Sequence, residues 1–177
     1  SDVCSSDLDE EWVQFAVVEA LAKIKDPSAA NGLVKLLPQA SPLVCSAIID
    51  ALGDMGDVKA IPLLFSSLEN VRVPLRHKIV KAIVQILSVR SLSLLAAKSQ
   101  ERLRDYLLEA LTDNDEDILL AALQGLSAIG NEDATEAIIN LAVGLDVERQ
   151  SELYEAAIHA IASLGYNSML RNALRSD

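Results

Sequence analysis

One helix-length segment recurs five times along this chain, and this repetition constrains the fold more than any other feature. The copies are VQFAVVEALAKIKD (13–26), VCSAIIDALGDMGD (44–57), LRHKIVKAIVQILS (75–88), ILLAALQGLSAIGN (118–131) and LYEAAIHAIASLGY (153–166). Successive copies begin 31, 31, 43 and 35 residues apart. Repeats of this length are typical of stacked helical pairs, none of which can bury its apolar face alone. The pattern therefore predicts an all-α protein.

Apolar residues recur at helical spacing within each copy, so each copy is expected to form one apolar stripe. In the first copy the stripe comprises Val13, Ala16, Val17, Ala20, Leu21 and Ile24. The third copy departs once, because Lys78 stands where the other copies have Ala. We expect its aliphatic stem to pack while its charged head reaches solvent.

Turn residues follow the copies and predict where helices end and begin. Gly56, Gly130 and Gly165 stand where a helix end favours a left-handed residue. Polar residues that can cap a following helix are Asp26, Ser41, Asp57, Ser88 and Asn131. We therefore expect shorter second helices over residues 27–37, 58–68, 89–97, 132–143 and 167–175.

The third unit is longer than the others, and residues 91–113 carry the additional length. We predict a short helix near 89–97, a break around Lys98–Gln100 and another helix at 101–112. A single long helix is the alternative.

Three segments carry a family resemblance: EALAKIKDPSAANGLVKLL (19–37), DALGDMGDVKAIPLLFSSL (50–68) and LEALTDNDEDILLAALQGLSAIGNEDATEAI (108–138). They resemble HEAT repeats, in the short bacterial form also seen in phycobilin lyase subunits. The resemblance covers about residues 10–175. It implies an α-solenoid of about five HEAT-like helical hairpins in a right-handed superhelical stack, with the second helices lining a concave face.

One departure from that repeat form concerns an Arg early in the first helix, which can bridge to an Asp of the adjoining repeat. The corresponding residues here are Gln14, Cys45, Arg76, Leu119 and Tyr154. Because only Arg76 conforms, we do not expect an Arg–Asp ladder along the stack.

The opening residues SDVCSSDL (1–8) fit none of the repeats and resemble the translation of a common short-read sequencing adapter. We expect 1–8 to be an artefactual leader and 9–177 to be a single solenoid that is part of a longer array. A natural polar leader is the alternative.

Composition narrows the class of partner. The net charge of −11 argues against a nucleic-acid groove, which needs clustered Lys and Arg, and weakly favours a basic partner. Acidity that only maintains solubility explains the charge equally well. The sequence shows neither an apolar run long enough for a bilayer nor a signal-peptide pattern. Two cysteines, Cys4 and Cys45, make no disulfide framework, so we expect the cytoplasm.

The motifs that could carry chemistry are weak. Asp113, Asp115 and Asp117 alternate as in a calcium loop, but Ile118 and Gln124 occupy positions where that loop needs Gly and Glu. Acids in the first turn of a helix explain the run better.

The remaining candidates for chemistry are isolated in the sequence. His77 and His159 stand on different repeats, and no nearby Cys or His completes a set of metal ligands. Cys45 has no neighbouring base that could activate it, so we interpret Cys45 as a small buried or half-buried residue. We expect no enzyme activity, no cofactor and no metal.

The leading hypothesis is a non-catalytic scaffold that binds another protein, which the resemblance places in a bacterial regulatory or signalling assembly. Helical phase places its partner-binding candidates on the second helices: Asn31, Lys35, Ser66, Asn140 and Arg175. A phycobilin lyase-like subunit acting on a chromophore-bearing protein is the alternative, and a solenoid that binds DNA lesions is disfavoured by the charge. We expect no membrane partner.

We also expect that copies of this chain can associate end to end through the two ends of the repeat array. Trp12 is interpreted either as a residue that once packed against a preceding repeat or as part of a partner site.

Overall fold

The computed structural model describes residues 2–175, and within them the side chains of 2–8, 27, 169–171 and 173–175 are not described. The chain divides into two compact units, Ser1–Ile86 and Leu87–Asp177. The first unit contains α1 (Asp2–Ile24), α2 (Pro27–Leu36), α3 (Pro42–Met55), α4 (Ile61–Ser67) and α5 (Val73–Ile86). The second contains α6 (Val89–Ser93), α7 (Ala97–Ala110), α8 (Glu116–Ile129), α9 (Glu132–Gly144) and α10 (Ser151–Arg175). The predicted all-α solenoid class is confirmed, while the handedness of the stack stays a prediction.

The predicted helix caps are confirmed. Each capping side chain accepts a hydrogen bond from a backbone N–H two or three residues later, which satisfies a donor that the helix leaves free. Asp26 accepts from Ser28 N at 2.9 Å and Asn131 accepts from Ala134 N at 3.1 Å. The same arrangement is found at Ser41, Asp57 and Ser88.

The predicted helix ends are only partly right. Gly56 has a left-handed backbone with φ 67°, as expected, and Lys25 takes that conformation in the first copy with φ 52°. Gly130 is instead extended, with φ −66° and ψ 170°, and a Cβ there would crowd Leu164 and Ala134. The expected turn at Gly165 is wrong, since α10 continues through it to Arg175.

The lengthened third unit breaks four residues earlier than predicted. Helix α6 ends at Ser93 and α7 begins at Ala97, so the single long helix is also wrong. The Nε2 of Gln100 donates to the carbonyl oxygens of Ser93 and Leu95 at 3.0 and 2.9 Å. These bonds satisfy carbonyls that the end of α6 leaves without helical partners.

In the first unit, α3 packs between α1 and α5, α2 packs against α3, and α4 packs against α5. Its core includes Ile48, Leu52 and Leu64, all fully buried. The stripe predicted for the first copy is not buried in this way. Val13, Ala16, Val17, Ala20 and Ile24 are exposed, and Leu21 is half-buried, because α1 contacts α3 through its opposite side, where Val18 is buried.

The side chain of Lys78 is partly exposed, and its charged head also finds partners that the sequence did not predict. Its Nζ donates to the hydroxyl of Ser46 at 2.6 Å and to Oδ2 of Asp50 at 2.8 Å, both on α3. The polar head finds partners on the neighbouring helix, so α5 packs closely on α3 despite the missing Ala.

In the second unit, α8 packs against α6, α7 and α10, and α9 packs against α10. Leu107, Ala122 and Leu126 lie in its core. The Nε of Arg104 on α7 donates to the carbonyl oxygen of Ile129 at 2.7 Å, which caps the end of α8. In the first unit Arg76 makes a similar contact, from its Nε to the carbonyl oxygen of Leu68 at 3.1 Å.

Candidate functional site

The exposed sides of the second helices include most of the predicted partner-binding residues. Asn31 and Lys35 are exposed one turn apart on α2, and Ser66 is exposed on α4, where its hydroxyl donates to the carbonyl oxygen of Leu63 at 2.9 Å. Asn140 is exposed on α9 in the other unit. The side chain of Arg175 lies outside the described residues. A role for these five residues in binding stays a prediction.

An open concavity of about 830 Å³ lies in the second unit, between α9 and the second half of α10. We call it the α9–α10 groove. Its lining residues come from the two helices and the turn before α9: Asn131, Glu132, Asp133, Thr135, Glu136, Ile139, Ile161, Leu164, Gly165, Ser168 and Asn172.

The groove exists because α9 buries only one side. Ala134, Ile138 and Ala142 recur at intervals of four residues and are buried, so the opposite side of the helix stays open. Helix α10 forms the other wall, and its continuation through Gly165 extends that wall by bringing Ser168 and Asn172 alongside. A Cβ at Gly165 would meet no atom within 4 Å, so this part of the groove is empty of side chains.

The α9 wall of the groove is acidic. Glu132, Asp133 and Glu136 are exposed there, and none of the described lining residues is Lys or Arg. The Nδ2 of Asn131 donates to Oδ2 of Asp133 at 3.3 Å, which orients that carboxylate. Two of the acids lie in the first turn of α9, where they complement the positive end of the helix dipole.

Apolar side chains line the same groove. Ile139 is 44% exposed, and Ile161 and Leu164 contribute from α10. The groove therefore combines carboxylates on one wall with an apolar surface that another molecule could cover.

The sequence pattern did not predict the groove, although the acidic residues that line it are apparent in the sequence. The signal was three acids, Glu132, Asp133 and Glu136, within five positions of one another after the Asn131 cap. Asn140, which was predicted, lies on the same helix one turn beyond Glu136 but does not line the groove.

A second groove of about 650 Å³ lies between α6, α8 and α10. Its polar residues include Gln124 on α8 and Glu152, His159 and Tyr166 on α10. His77, the other histidine, is buried in α5. Among the residues that the structure describes, no group of three or more His, Cys, Asp or Glu could bind a metal ion.

The aspartate run before α8 forms local hydrogen bonds. Asp113 accepts from Asp115 N at 2.9 Å, and Asp115 in turn accepts from Asp117 N at 2.9 Å and caps the helix. The structure thus places these acids as the sequence analysis expected, at the start of α8.

Cys45 is half-buried, as expected, and its thiol lies 3.3 Å from the carbonyl oxygen of Leu37 and 3.4 Å from that of Ala40. Burial raises the pKa of this thiol. A raised pKa keeps the sulfur protonated at neutral pH, which disfavours the thiolate that a nucleophile or metal ligand needs.

These observations define an all-α protein whose repeated helices stack on one another, with exposed second helices and an open groove. Residues 4–84, just under half of the chain, match the family model for HEAT repeats, so this stretch is similar to HEAT repeats. No curated protein matches the chain. Within the described residues, no helix has both the length and the apolar character to span a membrane.

Proposed function

We propose that this chain is a non-catalytic protein-interaction module whose α9–α10 groove binds a basic, amphipathic segment of a partner protein. The observation that carries the proposal is the combination of an acidic wall, formed by Glu132, Asp133 and Glu136, with an apolar lining of Ile139, Ile161 and Leu164. HEAT repeats generally mediate protein binding, which supports the same class of function.

The two parts of the groove would act differently on a partner. Lys or Arg side chains of the partner would pair with the exposed carboxylates, which mainly speeds association and makes it sensitive to salt. Apolar side chains of the same segment would cover Ile139, which is exposed, and Ile161, which is half-buried, and this desolvated contact would supply most of the affinity. The net charge of −11 attracts a basic partner from a distance.

We further propose a cellular setting for this chain and additional partner contacts. A bacterial regulatory or signalling assembly in the cytoplasm is the setting that the resemblance to short bacterial HEAT repeats supports. Asn31, Lys35, Ser66, Asn140 and Arg175 remain proposed contacts of the partner. A second copy of this chain is another proposed partner, through the terminal helices.

A panel of fluorescent amphipathic peptides tests the groove, with each basic peptide paired with a version in which Glu replaces Lys. We expect the basic versions to bind, and their affinity to fall as salt rises. The double variant Glu132→Gln/Glu136→Gln should weaken binding about tenfold, as expected when two charge contacts are lost.

The matched control is Glu101→Gln/Glu148→Gln, which removes two exposed carboxylates outside the groove and changes the net charge equally. Equal loss in both double variants would mean that only overall charge attracts the peptides. Retained binding in the groove variant, or preference for the acidic peptides, would contradict the proposal. A pull-down with the unmodified chain and both double variants extends the comparison to cellular partners.

A further inference from the structure

Two grooves lie at the same place in the repeat. One, of about 400 Å³, lies between α1 and α3 in the first unit, and we call it the α1–α3 groove. The other is the groove of about 650 Å³ in the second unit, which we call the α8–α10 groove after the helices that supply most of its lining. When the five copies are aligned, lining positions of the two grooves coincide: Phe15 with Leu120, Glu19 with Gln124, and Ala47 with Ala156. Each groove therefore lies between two consecutive copies of the repeated helix.

Between α3 and α5, a lysine fills the same place. Lys78 of α5 stands at the position of Ala47 and Ala156. Its ammonium group reaches α3, where it donates to the hydroxyl of Ser46 at 2.6 Å and to Oδ2 of Asp50 at 2.8 Å. Only 30% of the Lys78 side chain is exposed, so its methylene stem is largely covered while a carboxylate binds its charge. The space between two consecutive copies thus accommodates a lysine side chain.

The α1–α3 groove has the corresponding carboxylate but lacks the lysine. Glu19 of α1 stands at the position of Asp50 and is exposed on one wall of the groove. Ala47 of α3 lines the other wall, and its small side chain leaves open the space that Lys78 fills in the next pair of helices. Phe15, at the position of Ser46, is half-buried and adds an apolar surface. An ammonium group on an apolar stem matches this combination.

We propose that the α1–α3 groove binds a lysine side chain of a partner protein, in the place that Lys78 fills between α3 and α5. The methylene stem would lie over Ala47 and against Phe15, and the ammonium group would donate to the carboxylate of Glu19. The internal example is a compact charge at the end of a flexible stem, which favours lysine over the planar guanidinium group of arginine.

The other charged residues of the α1–α3 groove set the strength of this contact. Lys23 lies one helical turn after Glu19, and a Glu and a Lys at this spacing attract each other. Lys23 therefore competes with an incoming ammonium group for the Glu19 carboxylate. The groove is also lined by Lys25, Asp54 and Asp50, of which Asp50 already pairs with Lys78. Glu19 is thus the acid on which binding should depend, and removal of Lys23 should tighten it.

This site is additional to the α9–α10 groove, because it lies in the other unit and shares no lining residue with that groove. The α8–α10 groove is its internal control. Gln124 stands there at the position of Glu19, so the small Ala156 is present without the carboxylate opposite it, although Glu152 lines the groove one turn before Ala156. We expect this groove to bind lysine more weakly than the α1–α3 groove.

An NMR titration of the isotope-labelled chain tests the site with the blocked tripeptide acetyl-Ala-Lys-Ala-amide. The comparison peptide carries norleucine in place of Lys, which keeps the stem and removes the ammonium group. We expect the lysine peptide to cause saturable shifts of the Glu19 and Ala47 amide signals, and the norleucine peptide to cause none. The Gln124 and Ala156 signals should shift less. The double variant Glu132→Gln/Glu136→Gln should leave the Glu19 and Ala47 shifts unchanged, so failure here and failure of the α9–α10 groove are separate results.

Three variants complete the test. Glu19→Gln should raise the dissociation constant of the lysine peptide about threefold or more, and Lys23→Gln should lower it. Ala47→Lys should fill the groove from within, as Lys78 does, and abolish the shifts. Glu19 and Lys23 are exposed and the third copy naturally carries Lys at the position of Ala47, so all three variants should fold, which their amide spectra check.

Several results would overturn the proposal. These are an unmodified chain that shows no shifts at Glu19 and Ala47, equal responses to the lysine and norleucine peptides, and a Glu19→Gln variant that binds like the unmodified chain. Lysine binding that survives Ala47→Lys, or that weakens in Lys23→Gln, would also contradict it.

Discussion

Lys78 on α5 lies with its Nζ 2.8 Å from Oδ2 of Asp50 on α3, at a position where the other copies have Ala. Both side chains are only partly exposed, and the hydroxyl of Ser46 accepts a second hydrogen bond from the same ammonium group. The ion pair therefore occupies a position where the other copies carry the small side chain of Ala. It joins two adjacent repeats through polar rather than apolar atoms.

This ion pair should contribute modestly to stability. We expect the double-mutant cycle of Lys78→Met and Asp50→Asn, measured by urea unfolding, to give a coupling free energy of about 0.5–1 kcal/mol. Partial exposure limits the value, and it should fall as salt is raised. A cycle on Arg149 and Asp146, a pair 3.7 Å apart with an 88% exposed Arg side chain, is the control and should give almost no coupling. Equal coupling in both cycles would contradict this account.

The environments of two glycines predict opposite effects of the same substitution. A Cβ on Gly130 would lie 2.5 Å from the backbone oxygen of Leu126 and 2.8 Å from Cδ2 of Leu164, so Gly130→Ala should lower the free energy of unfolding by about 1–3 kcal/mol. Gly165 lies within α10 with open space around it, so Gly165→Ala should raise the free energy of unfolding by about 1 kcal/mol. Urea unfolding of both variants checks the pair. Effects of the same sign would be inconsistent with the packing described.

The sequence predicted the local features of the fold well because a few neighbouring residues determine them. The cap at Asp26 needs only a carboxylate before a helix and a free N–H two residues later. Helix ends depend on distant contacts. Gly130 lies close to Leu164 of α10, and no signal in the sequence near Gly130 reveals this approach.

The candidate site was harder to predict for the same reason. The pattern of the first copy predicts an apolar stripe, but it does not reveal whether any helix covers Val17. The acids of α9 were visible in the sequence, whereas the groove beside them depends on α10 continuing past Gly165. Helical phase identified exposed residues of the second helices without showing which of them border a concavity.

The left-handed residue after α1 predicts a stabilising substitution. Lys25 has a φ of 52°, a conformation that is unfavourable for residues with a Cβ, and the equivalent position in the second copy is Gly56. Lys25→Gly should raise the free energy of unfolding by about 0.5–1 kcal/mol, because relief of strain exceeds the added entropy of the unfolded chain. Gly56→Ala should lower it by about 1 kcal/mol. If Lys25→Gly destabilises the protein in thermal or urea denaturation, the backbone at Lys25 is not strained.

The environment of Cys45 predicts slow reaction with thiol reagents. Burial raises its pKa, so the thiolate is scarce at neutral pH, and the half-buried sulfur lies against the Leu37 and Ala40 carbonyl groups. In a Cys4→Ser background, Cys45 should react with a disulfide reagent at least about tenfold more slowly in the folded protein than in denaturing urea. Raising the pH should accelerate the reaction of the folded protein. Equal rates with and without urea would show that the thiol is freely accessible.

The cap at Asp26 predicts a defined dependence of stability on pH. The hydrogen bond from Ser28 N lowers the pKa of this carboxyl below its ordinary value. A group whose pKa is lower in the folded protein stabilises it above the unfolded value of about 3.9, and this contribution is lost as the pH falls through the folded value. Asp26→Asn keeps a capping oxygen but does not titrate, so it should unfold less steeply with acid than the unmodified chain.

The measurement for Asp26 is urea unfolding from about pH 6 to about pH 2.5, a range that begins above and ends below the unfolded pKa of about 3.9. The stability difference between the unmodified chain and Asp26→Asn should be constant above about pH 5 and should shift in favour of the variant below about pH 4. The control is Asp54→Asn, which removes an exposed carboxyl within α3 that does not cap a helix. The stability difference between this variant and the unmodified chain should not shift through the loss of a cap. Parallel acid profiles for Asp26→Asn and the unmodified chain would mean that the Asp26 carboxylate stabilises the start of α2 no better than an uncharged cap.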